Sequence, residues 1–390
     1  MNDNNDGLIS SGCMQKIAAL ILPCLASLPI MVMPFIFGAV INILGVDSSS
    51  ATFATSAEIS MIALASLLVS LGLRFLSPRT TALIGLVVAS LGHFISISSN
   101  SLELMFLARG LAGFGEGLCM GIGFATLAQI VGGTKLLAYS SGIVAALSLC
   151  SFQLVPILQP TLGQAAVFWF MLAVTSLCIP LVFWMPKNKL RQVQATNSLR
   201  AIFNARSLSL FFIAFLASAG SNTLWLYFEQ AGGSVGLDLK SIGQLGSVIL
   251  IPTLLVPFVV NFIFDRTKSI LPIFIACVLS GVSAFYYAKF GSALLFSIVV
   301  ISMAFLYVFL LAYIRVFSAH VDHTGRTTAA VGGADSLGMV IGPLIAALTL
   351  NLDGGFSPLS TLGLFMNLLC IIPCVFIVFA RSTKAERSFG

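Results

Sequence analysis

Apolar runs of about 20 residues recur along the whole chain, with short polar interruptions between them, and a run of that length crosses a bilayer as one helix. Twelve are predicted, near 17–44, 55–76, 80–98, 103–130, 137–158, 165–185, 207–230, 239–263, 269–288, 292–314, 327–350 and 357–380. Pro23, Pro29 and Pro34 fall inside the first run, where each removes a backbone donor, so that helix is expected to bend. The longest polar interruption, Pro186 to Arg206, separates six runs from six. The fold class is therefore an all-α integral membrane protein. A bundle over 1–185, a linker over 186–206 and a second bundle over 207–390 are expected.

The fourth run breaks the apolar pattern most sharply, because Arg109 and Glu116 lie within it. Seven residues is nearly two helical turns, so the two charges share a face about 10 Å apart along the axis. An ionisable group in mid-bilayer costs at least ~2.5–3.5 kcal/mol on insertion scales. That face must look into a watery cavity or at protein partners. Gly110, Gly113, Gly117 and Gly121 form a second stripe about a quarter turn away, where a neighbouring helix is expected to approach closely. Arg109 and Glu116 are either functional or interhelical ties; intramembrane charges favour function.

Composition sharpens the membrane reading. The chain of 390 residues is 58% hydrophobic and 8% charged, with mean hydropathy +1.06; soluble domains are about half apolar and one quarter charged. The net charge of +6 would suit an acidic partner such as nucleic acid, but its distribution does not. One set of alternate connections, with both chain ends, holds 16 Lys and Arg residues, and the opposite set holds Lys240 and Lys289 alone. The positive-inside rule then places both ends and the linker in the cytoplasm, with an even number of crossings. The first apolar run is too long for a cleaved signal and has no basic segment before it. The eight cysteines lie mostly in apolar runs without a CxxC pair and read as small hydrophobes.

Two internal matches suggest a duplication. Ser77–Pro78–Arg79–Thr80–Thr81 resembles Phe264–Asp265–Arg266–Thr267–Lys268, an offset of 187. Lys135–Leu136–Leu137–Ala138 followed by Ser141–Gly142 resembles Arg326–Thr327–Thr328–Ala329 followed by Gly332–Gly333, an offset of 191.

Twelve spans in two six-helix pseudo-repeats, with a mid-chain linker and short loops, resemble the major facilitator superfamily of secondary transporters. Arg109, Gly113 and Gly115 match the arginine and spaced glycines of that family's fourth span. Asp265, Arg266 and Lys268 match its basic loop between second and third spans, with Asn261 at the glycine position. The first-half copy has Pro78 and Arg79 and no acid. The antiporter motif GxxxGP of the fifth span is missing there and stands in the eleventh as Gly338, Gly342 and Pro343. The resemblance implies a central cavity lined mainly by the first, fourth, seventh and tenth spans, alternating access, and a substrate site near the bilayer midplane. It also implies that Arg79, Asp265, Arg266 and Lys268 belong to a gating loop.

Other residues have chemistry to offer. Asn222, Trp225 and Glu229 are spaced to form one polar and aromatic face of the seventh span; an interfacial Trp beside a solvated glutamate is the alternative. Asp335 in the eleventh span is either a proton or cation site or a partner for nearby backbone. Tyr307 is the repeat counterpart of Glu116, and ordinary packing is its alternative. Glu58 and Glu103 are expected to be solvated near span ends; His93, near the outer end of the third span, is either a proton site or, as is commoner for a lone histidine, simply hydrogen-bonded. His320, Asp322 and His323 read as a solvated loop and not a metal site.

The expected function is secondary active transport of a small organic solute, a metabolite or drug, coupled to protons, in which Glu116, helped by Arg109, responds to protonation. The alternative is a polytopic membrane protein that does not transport, such as a lipid-modifying enzyme or a sensor. No ATP-binding glycine loop, catalytic cluster, cofactor site or metal site is legible. The expected partners are the solute, protons and the lipid bilayer, with no nucleic acid. A monomer in a bacterial inner membrane is expected.

Overall fold

The structure is a computed structural model and describes residues 12–72, 77–130, 133–188, 205–289, 291–321, 326–349 and 356–377. The expected linker lies outside the described residues from 189 to 204, as do both chain ends and Asp322 and His323. Two compact units divide at Ala195 and Thr196.

The first unit contains α1 (Cys13–Ala26), α2 (Leu28–Met31), α3 (Met33–Leu44), α4 (Ser48–Gly72), α5 (Pro78–Ile97), α6 (Leu102–Gln129), α7 (Gly133–Leu162) and α8 (Ala166–Cys178). The second contains α9 (Ala205–Leu226), α10 (Phe228–Ser234), α11 (Leu239–Thr267), α12 (Leu271–Tyr286), α13 (Ala293–Val321), α14 (Arg326–Thr349) and α15 (Ser357–Leu369).

Ten described segments are long and apolar enough to cross a membrane, and their relation to the twelve runs is simple. One of the ten, Gly142–Trp184, is two helices, α7 and α8, joined by a 3-10 turn that begins at Gly163. The ninth run is the shorter helix α12. The expected bend in the first run is stronger than a kink. The run breaks at Ser27 and Val32 into α1, α2 and α3, and Pro29 and Pro34 each sit in the first turn of the piece that follows, where the missing N–H costs nothing. The last run also breaks, at Cys370, and is helical again over 371–377.

Each unit buries one face of its helices and leaves another apolar face outside. Leu22, Leu86, Ile122 and Met185 belong to the interior of the first unit, and Leu210, Ile273, Leu310 and Ile314 to that of the second. Leu177, Phe183, Phe258 and Leu294 lie on the surface. An apolar surface on helices with internally satisfied backbones is the arrangement that lipid solvates.

A turn repeated in the two units confirms the duplication and corrects its register. Gly45–Val46–Asp47 leads into α4, and Gly236–Leu237–Asp238 leads into α11, 191 residues later. Both glycines have positive φ, +62° and +88°, a conformation costly to a residue with a Cβ. Each aspartate then accepts from the backbone N–H three residues on: Ser50 to Asp47 at 3.2 Å and Ser241 to Asp238 at 2.9 Å. That is a helix N-cap. Starts of α6 and α13, Leu102 and Ala293, share the 191 offset. The 187 offset does not hold structurally: Arg79 opens α5, after its loop, whereas Arg266 closes α11, before its loop.

Candidate functional site

In the first unit the glycine stripe of α6 determines the site. A Cβ on Gly113 would stand 2.1 Å from the backbone oxygen of Glu58, and one on Gly117 would stand 2.4 Å from that of Ile62. Only glycine lets α4 come so near. On the other flank a Cβ at Gly92 of α5 would meet Ala112 N at 2.4 Å. The helices are thereby pinned against α6 one turn from Arg109, and their polar side chains have nowhere else to go.

Four ionisable side chains meet there, each no more than 2% exposed. Arg109 Nη1 donates to Glu58 Oε1 at 2.8 Å. Its Nε and Nη2 donate to Ser96 Oγ at 3.1 and 2.8 Å, and Nη2 lies 3.1 Å from His93 Nδ1. The Phe168 ring of α8 covers the guanidinium, 4.7 Å from its centroid, a cation–π contact. His93 Nε2 in turn lies 3.1 Å from Glu116 Oε1. The order is Glu58, Arg109, His93, Glu116, carried by α4, α6, α5 and α6. The histidine–glutamate contact is close but not aligned as a hydrogen bond. Among the described residues, both Glu116 oxygens, His93 Nε2 and Glu58 Oε2 have no hydrogen-bond partner.

One expectation is corrected here. Glu58 is not a solvated residue at a span end: it lies ten residues inside α4, wholly buried and paired with Arg109. Of the two surroundings open to the Arg109 and Glu116 face, the structure supplies protein partners. Sequence reasoning left out Glu58, Ser96 and the bridging role of His93. The available signal was that α4 and α5 each hold one mid-helix ionisable residue, and a buried charge requires a counterpart.

The second unit holds a separate polar group. Tyr307 on α13 donates to Asp335 Oδ1 on α14 at 3.0 Å, and Asn222 Nδ2 on α9 donates to Tyr307 Oη at 3.2 Å. Ser218 completes it, donating to the backbone oxygen of Asp335 at 2.8 Å. Arg315 Nη2 pairs with Asp335 Oδ2 at 3.0 Å, the arginine side chain 51% exposed and the aspartate 9%. Arg315, one residue beyond the predicted run 292–314, is inside α13. The GxxxGP stretch seats α14 here, since a Cβ on Gly342 would meet the Ala219 backbone oxygen at 2.2 Å.

The face expected from Asn222, Trp225 and Glu229 is interrupted. Helix α9 ends at Leu226, and Glu229 belongs to the next piece, α10. Trp225 stacks on Phe228 across that break, centroids 5.3 Å apart. The loop residues are likewise dispersed. Arg79 Nε donates to Met185 O at 3.2 Å and its Nη2 to Phe183 O, which ties the start of α5 to the chain leaving α8. Arg266 lies over the Phe262 ring, 3.5 Å from its centroid. Lys268, with φ +42°, ends α11, and Asp265 is exposed.

Apolar helices that bury ionisable groups within each of two duplicated units define a polytopic membrane protein. The chain belongs to the Major Facilitator Superfamily, whose sequence profile matches residues 17–343. It is accordingly a multi-pass membrane transporter of small solutes and not an enzyme. Among solved structures, an aspartate-to-alanine mutant of the nucleoside transporter NupG superposes with a TM-score of 0.74 at 15% identity, over 93% of this chain and 99% of that one. NupG without that substitution gives a TM-score of 0.73 at 12% identity, over 93% and 98%. These likenesses are of fold. No curated protein sequence matches the chain.

Proposed function

We propose that this protein is a proton-coupled secondary transporter of a small organic solute that works by alternating access, with Glu116 as the group that binds the coupling proton. One observation carries the reading: the buried order Glu58, Arg109, His93, Glu116. Arg109 is permanently charged and balances one carboxylate. Glu58 holds the direct contact with it, so the second carboxylate has no cation of its own among the described residues. A proton on Glu116 makes the group neutral, and departure of that proton leaves a net buried charge, a difference large enough to bias one packing of the helices over another.

In this reading Asn222, Tyr307 and Asp335 contribute to solute or proton binding in the second unit, where they form one hydrogen-bonded set. Glu229 and Trp225 have a secondary place, and Arg79, Asp265, Arg266 and Lys268 serve the loops. The domains are two six-helix bundles, 1–185 and 207–390, joined by a cytoplasmic linker over 186–206. Both ends lie in the cytoplasm of a bacterial inner membrane, and the monomer is the working unit. Nucleosides are the first solutes to try, because the structural neighbours carry them. At 12–15% identity that choice orders the screen and does not limit it.

The test compares metabolite content and drug tolerance in cells that lack the protein, carry it, or carry Glu116→Gln. The wild type is expected to change the level of a solute in a manner abolished by a protonophore, and Glu116→Gln to abolish the accumulation. Accumulation of the same size and pH dependence in Glu116→Gln overturns the assignment.

A further inference from the structure

Arg109 decides the chemistry of His93. A guanidinium offers only N–H donors and is not deprotonated in proteins. His93 Nδ1, 3.1 Å from Arg109 Nη2, must therefore accept. A ring nitrogen that accepts carries no proton, so the single proton of the neutral ring is on Nε2. Nε2 is the atom that faces Glu116 Oε1 at 3.1 Å.

We infer that His93 is locked by Arg109 as the neutral Nε2–H imidazole and is the positioning residue that leaves Glu116, and not the histidine, to take up the exchangeable proton of this buried group. The inference rests on the reading of Glu116 given above and adds the reason for it. An imidazolium would set an Nδ1–H against an Nη2–H and a second cation beside the first. Arg109 could then keep only Glu58 and Ser96, and the tie between α5 and α6 through Nδ1 would open. While Arg109 stays in place, the histidine cannot receive the proton that Glu116 holds.

The surrounding groups agree with that assignment. From α4 comes Glu58, already engaged by Nη1. From α6 come Arg109 itself and the buried thiol of Cys119, three residues beyond Glu116. From α5 comes Ser96, whose hydroxyl accepts twice from Arg109. From α8 comes the Phe168 ring over the guanidinium. None of these supplies an acid that would force His93 into its charged form from the Nδ1 side.

The two amide substitutions of His93 separate its nitrogens. Asn places its amide where Nδ1 was and can still accept from Arg109; Gln places its amide where Nε2 was and keeps an N–H beside Glu116. The full-length protein, with 15N-labelled histidine and held in nanodiscs, is examined by nitrogen NMR. There are three histidines, His93, His320 and His323, and the His93 signals are those lost in His93→Gln. The wild type is expected to show a neutral Nε2–H ring for His93 across about pH 5–8, the range in which an unperturbed histidine changes charge. Arg109→Gln should release the lock and let that ring titrate. An imidazolium or an Nδ1–H ring in the wild type, or the same spectrum in Arg109→Gln, overturns the inference.

Infrared titration of the same samples reads Glu116 separately, through a protonated-carboxyl band absent from Glu116→Gln. Its midpoint should stay near wild type in His93→Gln and move by about one pH unit or more in His93→Asn, as expected when a polar N–H is withdrawn from beside a buried carboxyl. Equal midpoints in the two variants count against His93 as the positioning residue. No titrating band assignable to Glu116 in the wild type sinks the reading of Glu116, whatever the tautomer of His93.

Discussion

Arg109 and Glu58 meet through a single 2.8 Å contact, on adjacent helices 51 residues apart, and neither side chain touches solvent. Gly113 makes the contact possible one turn away, by letting the α4 backbone come against α6. Charge pairing and helix packing are thus one feature, and each can be tested through the other.

Removing one member of a buried pair leaves the other uncompensated, at a cost of about 3–5 kcal/mol. Glu58→Gln should lower thermal stability in detergent on that scale. The double variant Glu58→Gln with Arg109→Gln should regain a substantial part of the loss, since no lone charge remains. A double variant no more stable than the sum of the singles would show that the two residues are not energetically coupled.

Gly113→Ala should be far more damaging than its one methyl suggests. Its Cβ would lie inside the contact distance of a backbone atom, which cannot rotate away as a side chain can. Overpacking of that kind costs about 1–3 kcal/mol, more where nothing can move. Gly142→Ala is the control, with nothing within 4 Å of its added Cβ, and should be neutral or slightly stabilising through helix propensity. Yield of folded protein and melting temperature of both variants give the answer.

The acid limb of stability should depend on the two capping aspartates. The Ser50 hydroxyl, then the backbone N–H groups at the start of α4, hold the Asp47 carboxyl below its ordinary value; at Asp238 the Ser241 hydroxyl and N–H do the same. A carboxyl depressed in the folded state stabilises above its unfolded pKa, about 3.9. That stability is lost as pH falls from there through the folded value. Asp47→Asn and Asp238→Asn keep the cap acceptor without the titration, so their melting temperatures should fall less steeply than wild type below about pH 4. Curves that stay parallel to wild type through that window would remove the caps from the account.

Topology can be checked directly. Single cysteines placed in 186–206 should resist an impermeant thiol reagent added outside intact cells and react once the cells are opened, as the positive-inside rule expects of a segment rich in basic residues. Labelling in intact cells would reverse the orientation.

The membrane-crossing runs and the membrane setting were legible in the sequence, because a bilayer imposes one length and one polarity on every crossing. Arg109 and Glu116 were legible as exceptional for the same reason, and the glycine stripe as a contact face. Register within the duplication was not, since the Arg79 and Arg266 motifs look alike locally but lie on opposite sides of their turns, while the Asp47 and Asp238 caps that do correspond share few side chains around them. Tertiary structure alone decided the partners. Glu58 and His93 are 51 and 16 residues from Arg109, and no periodicity within α4 or α5 indicates what lies across the helix interface. Likewise only packing could bring Arg315 to Asp335, and only the break at Tyr227 could separate Glu229 from Asn222. Hydropathy fixes which segments enter the membrane; the close approach of particular backbones fixes which charges find each other inside it.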